Sequence, residues 1–210
     1  MSKLTLNIGL LGGSGAGKTS IIKRFSQGKF DSSILSTISL DKISKEVTID
    51  GEKVKLVLID TAGQERYADI VANFFRRLNG VIFVYAINSE ISFDKVKVWL
   101  EKAKELSNQN FSFIIVGNKK DLEINEIVND ENDLDNSEKN YRTVSEEQGK
   151  ELAEELKCEF FEVSAKENIN IEEAFMCLAK NVYNIKKNMK VIDSNTQTLR
   201  KKNSKKKCDC

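Results

Sequence analysis

The residues Gly12-Gly13-Ser14-Gly15-Ala16-Gly17-Lys18-Thr19 have the types and the spacing to hold a phosphate chain, G-x-x-x-x-G-K-T. They follow an apolar run, Leu4 to Leu11, and precede the helical pattern Ser20-Ile21-Ile22-Lys23-Arg24-Phe25. The order is therefore strand, glycine-rich turn, helix. Glycines let backbone N–H groups curl inward and approach an anion without Cβ clashes. The helix starting near Lys18 adds the positive end of its dipole. Gly13, Ser14, Gly15, Ala16, Gly17, Lys18, Thr19 and Ser20 form the expected phosphate-binding set, with Lys18 reaching the β- and γ-phosphates and the Thr19 hydroxyl available to Mg²⁺.

Three other stretches carry chemistry. Asp60 ends an apolar run, where a carboxylate can hold Mg²⁺, through water, opposite Thr19; a turn or capping aspartate is the competing reading. Gly63 allows a backbone N–H to swing toward a terminal phosphate, and Gln64 can orient a water for in-line attack, against the alternative of a solvated loop glutamine. Asn118, Lys119 and Asp121 suit a purine with a 6-oxo and a 2-amino group. The Asp121 carboxylate can accept from N1–H and the 2-amino group together, whereas adenine would leave it unpaired, a discrimination of ~10⁴ or more. The Lys119 stem can lie along the base. Ala165 can offer its N–H to the 6-oxo group, with Ser164 holding the loop; taken alone, that signal is weak.

The chain that must position these residues has 210 residues and 40% apolar content, which fits one soluble globular domain. It contains no histidine, so His-based triads, bases and metal sites are excluded, and hydrolysis must use a carboxylate, a positioned water, a lysine or a metal. Four cysteines do not make a disulfide framework, and a reducing compartment is expected. No apolar run approaches the ~20 residues of a membrane span, and no signal peptide is expected ahead of Leu4. The net charge of +1 is uneven: Arg200, Lys201, Lys202, Lys205, Lys206 and Lys207 face only Asp209 near the end, and the body is acidic. That pattern points to a local electrostatic contact and away from nucleic-acid binding.

Apolar runs at Leu4–Leu11, Val81–Ile87, Phe111–Val116 and Phe160–Val163 read as buried strands. Lys42–Ile49 and Glu52–Ile59 alternate around Asp50-Gly51, a hairpin signal. Helices are expected over Lys18–Gln27, after a Ser92 cap with Phe93, Val96, Val98, Trp99 and Leu106 on the apolar side, from Ser145 with Gln148 in a capping box to about Leu156, and from Ile171 to about Asn188. Residues near Ala68 to Leu78 read as weakly helical. Phe30 to Leu40 reads as an exposed loop, and 123–140, rich in Asn, Asp and Glu, as an exposed insertion. Alternating strands and helices argue a mostly parallel sheet with helices on both faces, which would gather the four motifs at the carboxyl ends of its strands.

G-x-x-x-x-G-K-T, D-T-A-G-Q-E, N-K-x-D and S-A-K, in this order and at these intervals, resemble the Ras superfamily of small GTPases over about Leu4 to Lys187. Asp60-Thr61-Ala62-Gly63-Gln64-Glu65-Arg66-Tyr67, Val84-Tyr85 and the Cys208-Asp209-Cys210 ending are most similar to the Rab branch. The resemblance implies an α/β P-loop NTPase fold, a Ras-like G domain over 1–187 with a six-stranded sheet, and a flexible basic tail over 188–210. It implies GTP hydrolysis to GDP with Mg²⁺ held by Thr19, Thr37 and Asp60. Thr37 would also close on the γ-phosphate, Ser14 would sit beside it, Gln64 would be catalytic, and Phe30, Asn118, Lys119, Asp121, Ser164, Ala165 and Lys166 would surround guanine. Cys208 and Cys210 would be geranylgeranylated, which two-signal membrane anchoring and the basic run support physically. Implied partners are an exchange factor, a GAP, a GDP-dissociation inhibitor, Rab escort protein and GTP-state effectors, on the cytosolic face of a membrane. Ser39, Lys42, Ile59, Ile34 and Ala86 depart from the usual Rab residues, so effector identity does not carry over. Two alternatives are a Rho- or Ras-type signalling GTPase and a slowly hydrolysing, nucleotide-locked scaffold.

Overall fold

The computed structural model describes residues 4–32, 42–60, 76–106, 111–124 and 141–205. In chain order its elements are β1 (Thr5–Gly12), α1 (Lys18–Gln27), β2 (Lys42–Ile49), β3 (Glu52–Asp60), β4 (Gly80–Ala86), α2 (Glu90–Leu106), β5 (Ser112–Asn118), a 3₁₀ turn (Lys120–Ile124), α3 (Glu146–Leu156), β6 (Glu159–Glu162) and α4 (Ile171–Lys205). The six strands form one sheet in the order β2-β3-β1-β4-β5-β6. All pairs are parallel except β2 with β3, which closes through Asp50 and Gly51, both at positive φ (49° and 81°) as a two-residue hairpin turn requires.

Alternation along the strands divides the core in two. Leu6, Ile8 and Leu10 of β1, Ile82 and Val84 of β4, and Ile114 and Val116 of β5 face one way, against Ile21, Ile22 and Phe25 of α1 and Phe175, Leu178 and Val182 of α4. Phe25 and Phe175 stack with ring centroids 4.0 Å apart, joining the two helices. Leu11, Val81, Phe83, Tyr85 and Ile115 face the other way, against Val96, Trp99, Leu100 and Ala103 of α2 and Leu152 and Ala153 of α3. Because both faces are covered, the central strands read as continuous apolar runs.

Three expectations need correction. The second helix starts at Glu90, and Ser89 is its cap, its hydroxyl accepting from the Ser92 N–H at 3.3 Å. Ser92 turns inward instead: its Oγ accepts from the Ala86 N–H at 2.9 Å and donates to Ser89 O at 2.8 Å, holding the end of β4. Val98 is 48% exposed, because it lies two turns after Ile91 and shares that outward-facing residue's side of the helix. The last helix continues from Ile171 to Lys205, past the expected end near Asn188; the stretch contains no glycine or proline to stop it. The weak helix near 68–78 falls almost entirely outside the described residues, as do residues 125–140 of the insertion.

Candidate functional site

β1 sits where the connections diverge: α1 packs toward β2 and β3 on one side of it, while α2 packs over β4. The crevice beyond its carboxyl end is the place such a sheet offers a ligand. Gly12 closes β1, and a side chain there would meet the Val84 carbonyl oxygen at 2.0 Å. Gly17, at φ 87°, caps α1, and a Cβ on it would lie 2.2 Å from Asn118 Nδ2. These two glycines are thus demanded by close approach, over and above their dihedral freedom. Lys18 is 6% exposed and folds back over the loop, its Nζ donating to Gly12 O at 2.9 Å and Gly13 O at 2.8 Å. A cation held across the arch in this way lies where the loop would receive phosphate oxygens. Ser14 and Gly15 are exposed at the crest, Ala16 is buried beneath it, and Thr19 and Ser20 are half-buried in the first turn of α1.

Asp60 is buried at the end of β3, beside the phosphate loop through the β1–β3 pairing. Its Oδ2 accepts a hydrogen bond from the Thr19 hydroxyl. A hydroxyl and a carboxylate converge here from separate elements, a hard-oxygen donor set suited to Mg²⁺ completed by phosphate and water. Among the described residues no group of three or more His, Cys, Asp or Glu could hold a metal ion.

Asn118 ends β5 and ties the two sides of the crevice together. Its Nδ2 donates to Ala16 O in the phosphate loop at 2.9 Å, and its Oδ1 accepts from the Ala165 N–H at 3.3 Å. Lys119 follows at φ 71°, a left-handed conformation that costs about 1 kcal/mol or more for a residue with a Cβ and recurs at ligand clamps. Asp121 is held in place: Ser164 Oγ donates to its Oδ1 at 2.6 Å, and Lys166 Nζ lies 3.9 Å from its Oδ2. Ser164 Oγ also accepts from the Glu167 N–H at 3.0 Å, and Ser164 and Ile169 exchange backbone hydrogen bonds at 3.1 and 3.0 Å, stiffening the loop after β6. Asn118, Asp121, Ser164, Ala165 and Lys166 therefore meet as one cluster although they come from two loops more than forty residues apart. Phe30 is 37% exposed, with its ring centroid 5.9 Å from Arg24 Cζ.

Two features of the site carry no signal in the sequence pattern. Arg24 of α1 bonds backbone carbonyls of the Ala165–Lys166 loop, partners that no local motif announces. Glu162, at the end of β6, receives a bidentate bond from Arg142 (2.7 and 2.8 Å) and lies 3.5 Å from Lys120 Nζ. Cys158 and Cys177 are half-buried; burial pushes the Cys158 thiol up to about 12 and raises that of Cys177, which favours the protonated thiol over the nucleophilic thiolate. Thr37, Gly63, Gln64, Cys208 and Cys210 lie outside the described residues.

A six-stranded α/β sheet with a lysine-bridged glycine loop at its switch point and an Asn-Lys-x-Asp loop beside it defines a phosphate-loop nucleotide-binding protein. Comparison with known proteins narrows the class. A sequence model described as "Ras family" matches residues 7–184. The chain is 38% identical over 187 residues to Ras-related protein Rab-8B of Bos taurus, covering 89% of this chain and 82% of that protein. It is 39% identical over 173 residues to GTP-binding protein yptV2 of Volvox carteri (82% and 73%) and 36% identical over 173 residues to GTP-binding protein ypt2 of Schizosaccharomyces pombe (82% and 78%). The chain belongs to the Ras family, and its likeness within that family is to Rab proteins.

Proposed function

We propose that the chain is a Rab-like small GTPase that binds GDP and GTP with Mg²⁺, hydrolyses GTP to GDP and phosphate, and works as a switch in vesicle-mediated membrane trafficking. The observation that supports this best is the Asn118 bridge, one side chain joining the phosphate loop to the loop after β6. A guanosine phosphate fits that arrangement because its base and phosphates must be held at a fixed separation. The Rho- or Ras-type alternative is not favoured, since the relatives named above are Rab and Ypt proteins.

Lys18 and the N–H groups of Gly13 to Ser20 bind the phosphates. Thr19, Thr37 and, through water, Asp60 would hold Mg²⁺, which when bound would supply positive charge against that developing on the phosphate oxygens. Gly63 offers its N–H to the γ-phosphate, and Gln64 orients the attacking water. Loss of the γ-phosphate frees Thr37 and Gly63, so the loops that carry them change partners. A partner GAP supplying an arginine finger would add ~10³–10⁵ to the rate. Asp121 accepts from guanine N1–H and the 2-amino group, with Phe30, Lys119, Ser164, Ala165 and Lys166 around the base. Prenylation of Cys208 and Cys210 with the basic tail would hold the protein on a cytosolic membrane face, delivered by Rab escort protein and retrieved by GDP-dissociation inhibitor, with exchange factor and effectors acting there. Among the described residues no helix is long and apolar enough to cross a membrane, so attachment by lipid is the mode that needs no span.

The test is base exchange. Asp121→Asn is expected to lose at least ~10²-fold in GTP affinity and gain a preference for xanthosine triphosphate, whose 2-oxo group accepts where guanine donates. Competition binding checks this; a variant that keeps full GTP preference refutes the base assignment.

A further inference from the structure

Arg24 stands in the last turn of α1, half-buried, with its guanidinium shared among three carbonyls. Nε donates to Ala165 O at 2.7 Å and Nη2 to Lys166 O at 2.7 Å, both on the loop after β6. Nη1 donates to Gly28 O at 2.9 Å, where the chain leaves α1, and Cζ lies 5.9 Å from the centroid of the Phe30 ring. The planar fork spans two successive carbonyls of one loop, a match that a single ammonium cannot make. Ala165 is thereby fixed by its carbonyl on Arg24, while its N–H makes only a long contact with Asn118 Oδ1, 3.3 Å, which leaves that N–H able to serve a purine 6-oxo group. The same side chain also fixes the first residues of the segment that leads toward Thr37.

We propose that Arg24 is a positioning residue for base recognition: by clamping the Ala165 and Lys166 carbonyls it aims the Ala165 N–H at the purine 6-oxo group and so sets how long the nucleotide stays bound. The inference rests on the guanine-nucleotide reading above and adds to it the residue that controls release. Without the clamp the 164–166 loop still carries its Ser164–Asp121 bond, so the fold persists while the N–H loses its aim. Arg24 touches neither Lys18 nor the Thr19–Asp60 pair in the contacts described, so the hydrolytic side of the pocket keeps its geometry.

The experiment measures dissociation of GDP, and of the diphosphate of 2-aminopurine riboside, which lacks the 6-oxo group and the N1–H but keeps the 2-amino group, from full-length protein carrying Arg24→Lys or Arg24→Met. GDP release is expected to quicken about three- to tenfold in both variants, the size of the neutral N–H···O bond to the 6-oxo group that is lost. Release of the 6-oxo-lacking analogue should stay at the wild-type rate. Equal acceleration of both nucleotides would mean general loosening and overturn the proposal, as would unaltered GDP release. Wild-type protein is assayed beside them for GDP against ADP: no preference there defeats the guanine reading itself, whereas a firm preference with unaltered variant release defeats Arg24 alone. Arg24→Lys keeps the charge and stem, so the measurement survives if Arg24→Met folds poorly.

Discussion

Asn118 shows how much of the site depends on single approaches between side chain and backbone. Its amide reaches Ala16 O only because Gly17 has no Cβ. Gly17→Ala would put a methyl 2.2 Å from Nδ2, at φ 87°, so the bridge must open. Guanine-nucleotide affinity is expected to fall about tenfold or more, as for a buried polar pair left unmet, measured by calorimetry. Gly51→Ala is the control: its φ is 81°, but nothing lies within 4 Å. It should cost about 1 kcal/mol of stability from backbone strain and leave affinity alone. At this scale the sequence reveals residues that bring their context with them. Lys18, Asp60 and Asn118 are legible because each sits in a short motif at the end of an apolar run. Arg24 and Glu162 are not, because their partners are carbonyls and cations distant in the chain, and no spacing encodes that meeting.

The elements follow local rules more closely. Period-two alternation divides each central strand between two helical layers, and Asp50-Gly51 sets the only antiparallel pairing in the sheet. α3 starts where the Ser145–Gln148 pair places it: Ser145 Oγ accepts from the Gln148 N–H at 3.2 Å, and Gln148 Oε1 accepts from the Ser145 N–H at 2.8 Å. Ser145→Ala should therefore cost roughly 1 kcal/mol, a fall in Tm of about 2–4 °C, read by thermal melting with nucleotide in excess. The start of α2 is not legible in the sequence, because two serines compete for one cap. Ser89 and Ser92 lie one turn apart, and tertiary contact with Ala86 draws Ser92 inward. A single sequence cannot weigh that contact against a local one. The length of α4 was equally open, since polar residues past Asn188 permit a helix without requiring one.

For the whole molecule, the sheet order turns four distant motifs into one rim. The phosphate loop, Asp60, Asn118 and the Ser164–Lys166 loop each follow a strand's carboxyl end. In cells, the wild-type chain is expected to fractionate with membranes, and Cys208→Ser with Cys210→Ser to leave it in the soluble fraction, each single variant lying between. Subcellular fractionation with mass spectrometry of the C-terminal peptide checks this; equal membrane recovery in the double variant counts against a lipid anchor.

The Glu162 carboxylate has a consequence for length variation. Lys120 comes just before residues 125–140 and Arg142 just after, and both converge on this one buried acid. The chain is stapled shut on either side, so whatever lies between can grow or shrink at little entropic cost, about 0.6 kcal/mol per doubling. This makes the stretch a natural port for grafting: a reporter or affinity tag spliced there should leave nucleotide handling intact.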